Sequence, residues 1–188
     1  MALPKAYLTS TKNLKDVLSA VQQAQAPKQF SQTFLNNLGF KSSTDRLIIG
    51  EIRNSREAYH TLEALNTGHD GSATTIHASS AADALSRLEL LVGRSFGQLT
   101  PREIRGYIAR VVDVIAVVAR LPSGRRCVME ICELAGVDGD GYDLRTVFTT
   151  DVEHDGEEST PLFRAAAQYR PARRLARKLE LEGLLWIS

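Results

Sequence analysis

The 188 residues carry 23 Lys and Arg against 22 Asp and Glu, a formal net charge of +1, so no global field favours nucleic acid or an anionic membrane. With 43% hydrophobic and 24% charged residues the composition is that of an ordinary globular protein, long enough for one substantial domain, or one and an appendage. The first residues lack the charged-then-apolar order of a secretory signal and no apolar run approaches membrane-spanning length, so the expected location is cytoplasmic, with no transmembrane segment.

Taken in order, Met1–Ala26 is expected to hold one amphipathic helix. Leu14, Val17, Leu18 and Val21 fall at helical spacing behind the capping candidates Ser10 and Thr11, and Pro27 ends it. A second short helix carries Phe34, Leu35 and Leu38 between Ser31 and Gly39. This pair reads as a helical packing unit; a nucleic-acid role would need more basic residues than it has.

Leu47–Ile52 is a buried-strand pattern ending in Glu51 and followed by Arg53. Asn54 and Ser55 cap a helix with Ala58, Leu62 and Leu65 on one face, stopped by Gly68. Ser72–Ile76 is the next strand, running into His77. Ser80 and Asp83 then cap a helix striped by Leu85, Leu88 and Leu91. Strand, helix, strand, helix at this spacing predicts βαβ units and a parallel sheet. Ligands sit at the carboxyl ends of such strands, which brings Glu51 and His77 to one rim.

Thr100-Pro101-Arg102-Glu103 is a second capping box. Val111–Leu121, Arg126–Leu134 and Tyr142–Phe148 form an expected antiparallel meander that extends the sheet. Asp138–Gly141 lacks the ligand spacing of a calcium loop and reads as a hairpin turn. Cys127 and Cys132, five apart in one strand, read as reduced packing residues rather than a bonded pair. Residues 149–188 form a polar and then basic tail with Arg170, Arg173, Arg174, Arg177 and Lys178, read as a loosely held terminal helix with a solvated face.

The chemistry suggested by the rim is that of nucleotide hydrolysis. A carboxylate ending a buried strand holds Mg²⁺, directly or through water, or orients the attacking water; this is the role expected of Glu51. His77 is placed to hydrogen-bond the terminal phosphate or that water, and Arg53 and Arg56 offer planar donor forks for phosphate, across a subunit boundary if the chain assembles.

From Arg46 to about Phe148 the sequence resembles the C-terminal part of the type II/IV secretion traffic ATPases, in their conjugal-transfer branch. Leu47–Arg53 resembles that family's Walker B box, and Thr67-Gly68-His69 through Thr74-Thr75-Ile76-His77-Ala78 resembles its histidine box. Ala84-Leu85-Ser86-Arg87-Leu88-Glu89 resembles the helix that follows. The resemblance implies an α/β fold with a RecA-like P-loop NTPase core, a hexameric ring, and Mg and ATP as cofactors. It also implies work with inner-membrane secretion machinery at the cytoplasmic face. In such a site Glu51 and His77 are the catalytic pair, with Arg53, Arg56, Gly68, His69 and Thr75 as nucleotide contacts.

One part of that pattern is missing. No G-x-x-x-x-G-K-[ST] occurs in the 188 residues, so the expected core is partial, without the Walker A strand, loop and helix that cradle phosphates. Residues 1–45 bear instead on another likeness. Ala2–Tyr7 and Phe34–Ser43 resemble the start of an uncharacterised bacterial family, and the seam of a composite chain would lie in Arg46–Gly50. The sequence therefore predicts three segments: a helical 1–45, a truncated ATPase domain 46–148 and a tail 149–188. Without its phosphate-loop strand the sheet is expected to carry an open parallel edge or an uncovered face. Two functions follow as expectations: a secretion ATPase family member or relic, inactive alone, or a non-catalytic interaction module that keeps the ring-packing surfaces. A helical DNA-binding module at the N-terminus is a distant third.

Overall fold

The computed structural model describes residues 5–10, 47–66, 71–95, 97–155 and 158–181. Seven strands form one mixed sheet: β1 Lys5–Ser10, β2 Ile48–Ile52, β3 Ser72–His77, β4 Val114–Arg120, β5 Arg126–Asp138, β6 Gly141–Asp155 and β7 Glu158–Ala165. Their spatial order is β2-β3-β1-β4-β5-β6-β7. Among the described residues four helices accompany them: α1 Ser55–Asn66, α2 Ala81–Ser95, α3 Pro101–Val111 and α4 Arg173–Leu181.

The parallel pair β2–β3 is joined through α1, the βαβ unit expected from the apolar runs and caps around it. Asn54 Oδ1 accepts from the Glu57 N–H at the start of α1, and Ser80 Oγ accepts from the Asp83 N–H at the start of α2. Asp83 returns its carboxylate to the N–H and hydroxyl of Ser79. At α3 the capping box is complete: Thr100 Oγ1 accepts from Glu103 N–H, and Glu103 Oε2 accepts from Thr100 N–H at 2.8 Å. Those bonds hold the Glu103 carboxyl below its ordinary range, so their contribution is complete above that range and is lost as pH falls through the lowered value.

The three helices α1 to α3 cover one face of the sheet. Leu62 and Leu65 of α1, Leu85 and Leu88 of α2 and Ile104 and Ile108 of α3 meet Ile52, Ile76, Ile115 and Val117 in one continuous core. The alternation of β4 sends Val114, Ala116 and Val118 to the opposite face, where they meet Ile131 and Leu175 of α4. Cys132 lies in the first core, and its thiol is pushed up to about 12, chiefly by burial and then by the Glu130 carboxylate. Both cysteines are buried and unbonded. The Asp138–Gly141 run is the β5–β6 hairpin turn, with Gly139 at φ +55°, where glycine carries no Cβ penalty.

Two expectations change, and a third falls outside the described residues. Lys5–Ser10 is a strand rather than the lead into a helix; Tyr7, Leu8 and Thr9 suit an extended ladder, and β3 and β4 offer one on either side. The expected helices around Leu14–Val21 and Phe34–Leu38 lie outside the described residues. Where an open parallel edge or an uncovered face was expected, β1 stands between β3 and β4, antiparallel to both; among the described residues the edges of the sheet are β2, whose Ile48 is 44% exposed, and β7.

Nor does ordered structure stop at Phe148. β6 runs on to Asp155 and pairs with β7 from Phe148↔Ala165 to Asp155↔Glu158. The terminal helix is also firmly docked. Asp113 is fully buried and pairs with Arg174 at 3.0 Å and with Lys178 at 2.7 Å. Arg174 spends its remaining donors on the carbonyls of Ala109, Val112 and Leu134, closing the end of α3. Glu133, 2% exposed, accepts from the Tyr169 hydroxyl at 2.9 Å and from the Ala172 N–H at 3.0 Å. Burial and this contact with Glu133 raise the Tyr169 phenol above its ordinary range.

Candidate functional site

Glu51 and His77 arrive together because β2 and β3 are parallel and in register, Glu51 beside Thr75 and Ile52 beside Ile76. On β2 the side chain of Ile52 enters the helical core, which sends its neighbour Glu51 the other way, toward His77. Glu51 Oε1 lies 2.6 Å from His77 Nε2, and Glu51 Oε2 accepts from Arg53 at 3.2 Å. The carboxylate is only 12% exposed, whereas the Arg53 side chain is 70% exposed. His77 Nδ1 is buried and has no hydrogen-bond partner among the described residues. The Thr75 hydroxyl donates to the Gly50 carbonyl at 3.4 Å, and that of Thr74 to the same oxygen at 3.1 Å, fastening β2 to β3 beneath the pair.

Of the residues expected at a nucleotide site, the structure therefore joins Glu51, His77 and Arg53, with Thr75 alongside. Arg56 is exposed on the first turn of α1. Gly68 and His69 lie outside the described residues.

The pair is engaged rather than open. With one oxygen on His77 and the other on Arg53, Glu51 behaves as the centre of a small charge cluster clasping the sheet's edge. Replacing it by glutamine keeps an acceptor and removes the charge. Glu51→Gln is expected to cost about 1 kcal/mol in the denaturant midpoint at constant slope.

A Mg²⁺ ion usually takes one or two carboxylates and completes its octahedron with water and substrate phosphates. Glu51 fits that donor chemistry, and no group of three or more His, Cys, Asp or Glu among the described residues would hold a metal without phosphates. The residues do not fit the nucleotide itself. The sequence has no phosphate loop, and the start of α2, just beyond His77, is already taken by anions. At α2 the Ala81 N–H donates to the Glu130 carboxylate reaching over from β5, and Asp83 occupies the Ser79 N–H. A phosphate there would meet two carboxylates instead of free donors. Glu130 was not visible as part of this rim from sequence; its only sign is a charge inside the apolar run Val128–Cys132.

Comparison with known proteins now bears on this geometry. A family model described as "Type II/IV secretion system protein" matches residues 17–157. The chain belongs to that family. Its matched span begins upstream of Arg46 and runs past Phe148, through most of the described sheet and all three core helices. The conjugal transfer protein TrbB of Rhizobium radiobacter is 38% identical over 111 residues, covering 59% of this chain and 32% of that protein. The type IV secretion system protein VirB11 of Bartonella quintana is 37% identical over 89 residues, 46% of this chain and 24% of its own length. The chain thus spans about a quarter to a third of the length of these curated relatives. Among solved structures, the VirB11 ATPase of the Brucella suis type IV secretion system, in complex with sulphate, superposes with a TM-score of 0.51. It is 24% identical over 63% of this chain and 44% of that one, a likeness of fold. No helix among the described residues is long and apolar enough to cross a membrane.

Proposed function

We propose that this member of the secretion family contributes the acidic and histidine side of a nucleotide site to a secretion or conjugation assembly, and that the 188 residues do not hydrolyse ATP on their own. The observation that carries this reading is the Glu51–His77 contact, formed at 2.6 Å in a sequence with no phosphate loop. Assembly into a hexameric ring with secretion ATPase subunits, at the cytoplasmic face of the inner membrane, belongs to the same proposal. The similarity to TrbB and VirB11 supports it.

The magnitude of the missing contacts decides between an active and an inactive chain. A phosphate loop supplies several charge-assisted hydrogen bonds, each worth about 1.5–3 kcal/mol. Arg53 and Arg56 are too exposed to replace them at ordinary nucleotide concentrations. Calorimetric titration of the chain with Mg-ATP is expected to give no binding heat; micromolar affinity would overturn the proposal. A purely structural module with intact ring-packing surfaces predicts the same null, so subunit mixing separates the two. On the present reading, Glu51→Gln lowers hydrolysis in an assembly containing active family subunits, whereas a packing module is indifferent to it.

A further inference from the structure

The sheet face that carries α4 is apolar beyond the helix itself. Leu175 meets Val114, Ala116, Val118 and Ile131 there, and the same surface continues across β5, β6 and β7 as a groove of about 520 Å³. Val128, Ile131, Val147 and Phe148 belong both to that small core and to the groove. On β7 the groove is walled by Phe163, 63% exposed and stacked on Phe148 at a centroid distance of 5.7 Å. At the β4–β5 turn its rim carries Arg125 and Arg126, both exposed, neither paired with a carboxylate among the described residues. An apolar floor of this kind with a basic rim is the form of a docking surface.

α4 ends at Leu181, and residues 182–188 follow it outside the described residues. Their sequence complements the groove. Gly183 is a helix-stop signal, and Leu184, Leu185, Trp186 and Ile187 are consecutive apolar residues. Past Lys178 the ionisable side chains are Glu180 and Glu182, opposite in sign to the rim. Reach is sufficient. Leu181 lies about 9 Å along the helix from Leu175, which already sits at the groove's border. The positions from Leu181 to Trp186 extend for roughly 17 Å, and the two strand spacings from β5 to β7 amount to about 10 Å.

We propose that this groove is the seat of the chain's own segment 182–188, with Trp186 laid against Phe148 and Phe163 and the acidic start of the segment drawn by Arg125 and Arg126. Tethering favours this occupant over a free one. α4 is held by Asp113 through Arg174 and Lys178, so the segment is presented to the groove at an effective concentration of about millimolar. Aromatic stacking then supplies large apolar contact at small cost in side-chain entropy. Seated there, the segment would extend the second core to the sheet's edge. The inference is independent of the nucleotide-site reading, and its failure leaves that reading untouched.

Trp186 is the only tryptophan of the chain, so intrinsic fluorescence of the full chain reads its surroundings directly. Expected is emission blue-shifted from that of an indole in water, several-fold protected from acrylamide and unchanged on dilution. Phe163→Ser should return emission and quenching to their solvated values with the far-UV circular dichroism unaltered. Leu90→Ser, at a leucine 57% exposed on α2, should leave both where they were. Arg125→Glu combined with Arg126→Glu should release the indole in part, and added salt should do the same to the parent. If Phe163→Ser disturbs the dichroism, the arginine pair decides. Water-like emission in the parent overturns the proposal, as does a protected indole indifferent to the groove variants. A blue shift that fades on dilution overturns it as well, since the segment then sits on another copy of the chain.

Discussion

Arg174→Ala is expected to be among the most damaging single substitutions in the chain, lowering stability by about 3–5 kcal/mol, the range found when one partner is removed from a buried ion pair. Asp113 is wholly buried and would lose one of the two cations paired with its carboxylate. The carbonyls of Ala109, Val112 and Leu134 would lose their donor in the same step. For a chain of this size the change corresponds to a fall in melting temperature of roughly 6–20 °C. Arg174→Lys should recover roughly half of it, because an ammonium retains the charge but cannot reach several acceptors with one planar fork. Thermal unfolding followed by circular dichroism checks both. A melting temperature within a degree or two of the parent for Arg174→Ala would show that α4 is dispensable to the core.

Leu8→Pro should act as strongly by a different route. β1 is interior to the sheet, pairing with β3 over six residues and with β4 over five, so proline removes a ladder donor where neither side is free. The cost is roughly 3 kcal/mol or more, taking the penalty for proline inside regular structure as a guide. Once β1 is expelled, the inner edges of β3 and β4 become bare together, and association through them is expected. Increased light scattering at temperatures well below the parent's melting point is the predicted signature. Leu8→Val, which keeps the donor and suits a strand, serves as control.

How far the sequence revealed this structure depended on whether a residue's partners lay nearby. The β2–α1–β3–α2 unit could be read because apolar runs, caps and turn residues are all local, and the parallel pairing that joins Glu51 to His77 follows from them. The complete box at Thr100 and Glu103 belongs to the same class. β1 could not be read in that way. Six residues with no strong alternation become a strand only because two edges wait for them, one reached through Ser72–His77 and the other through Val114–Val118. The second half of β6 and all of β7 escaped for a related reason. The run Thr149–His154 is mostly polar, and a polar ribbon leaves little hydrophobic signature. Arg174 was grouped with its basic neighbours as a solvated face, since the carboxylate that draws it inward is Asp113, far back in the chain.

That last pairing sets a condition on biosynthesis. Asp113 and Glu133 leave the ribosome well ahead of Tyr169, Arg174 and Lys178, the groups that neutralise or hydrogen-bond them in the finished molecule. Until those later residues emerge, closing the sheet would seal two carboxylates in an apolar interior, a state disfavoured by several kcal/mol for each ion. The nascent chain is thereby restrained from settling early, and release of its final turn of helix becomes the step that commits it to its shape.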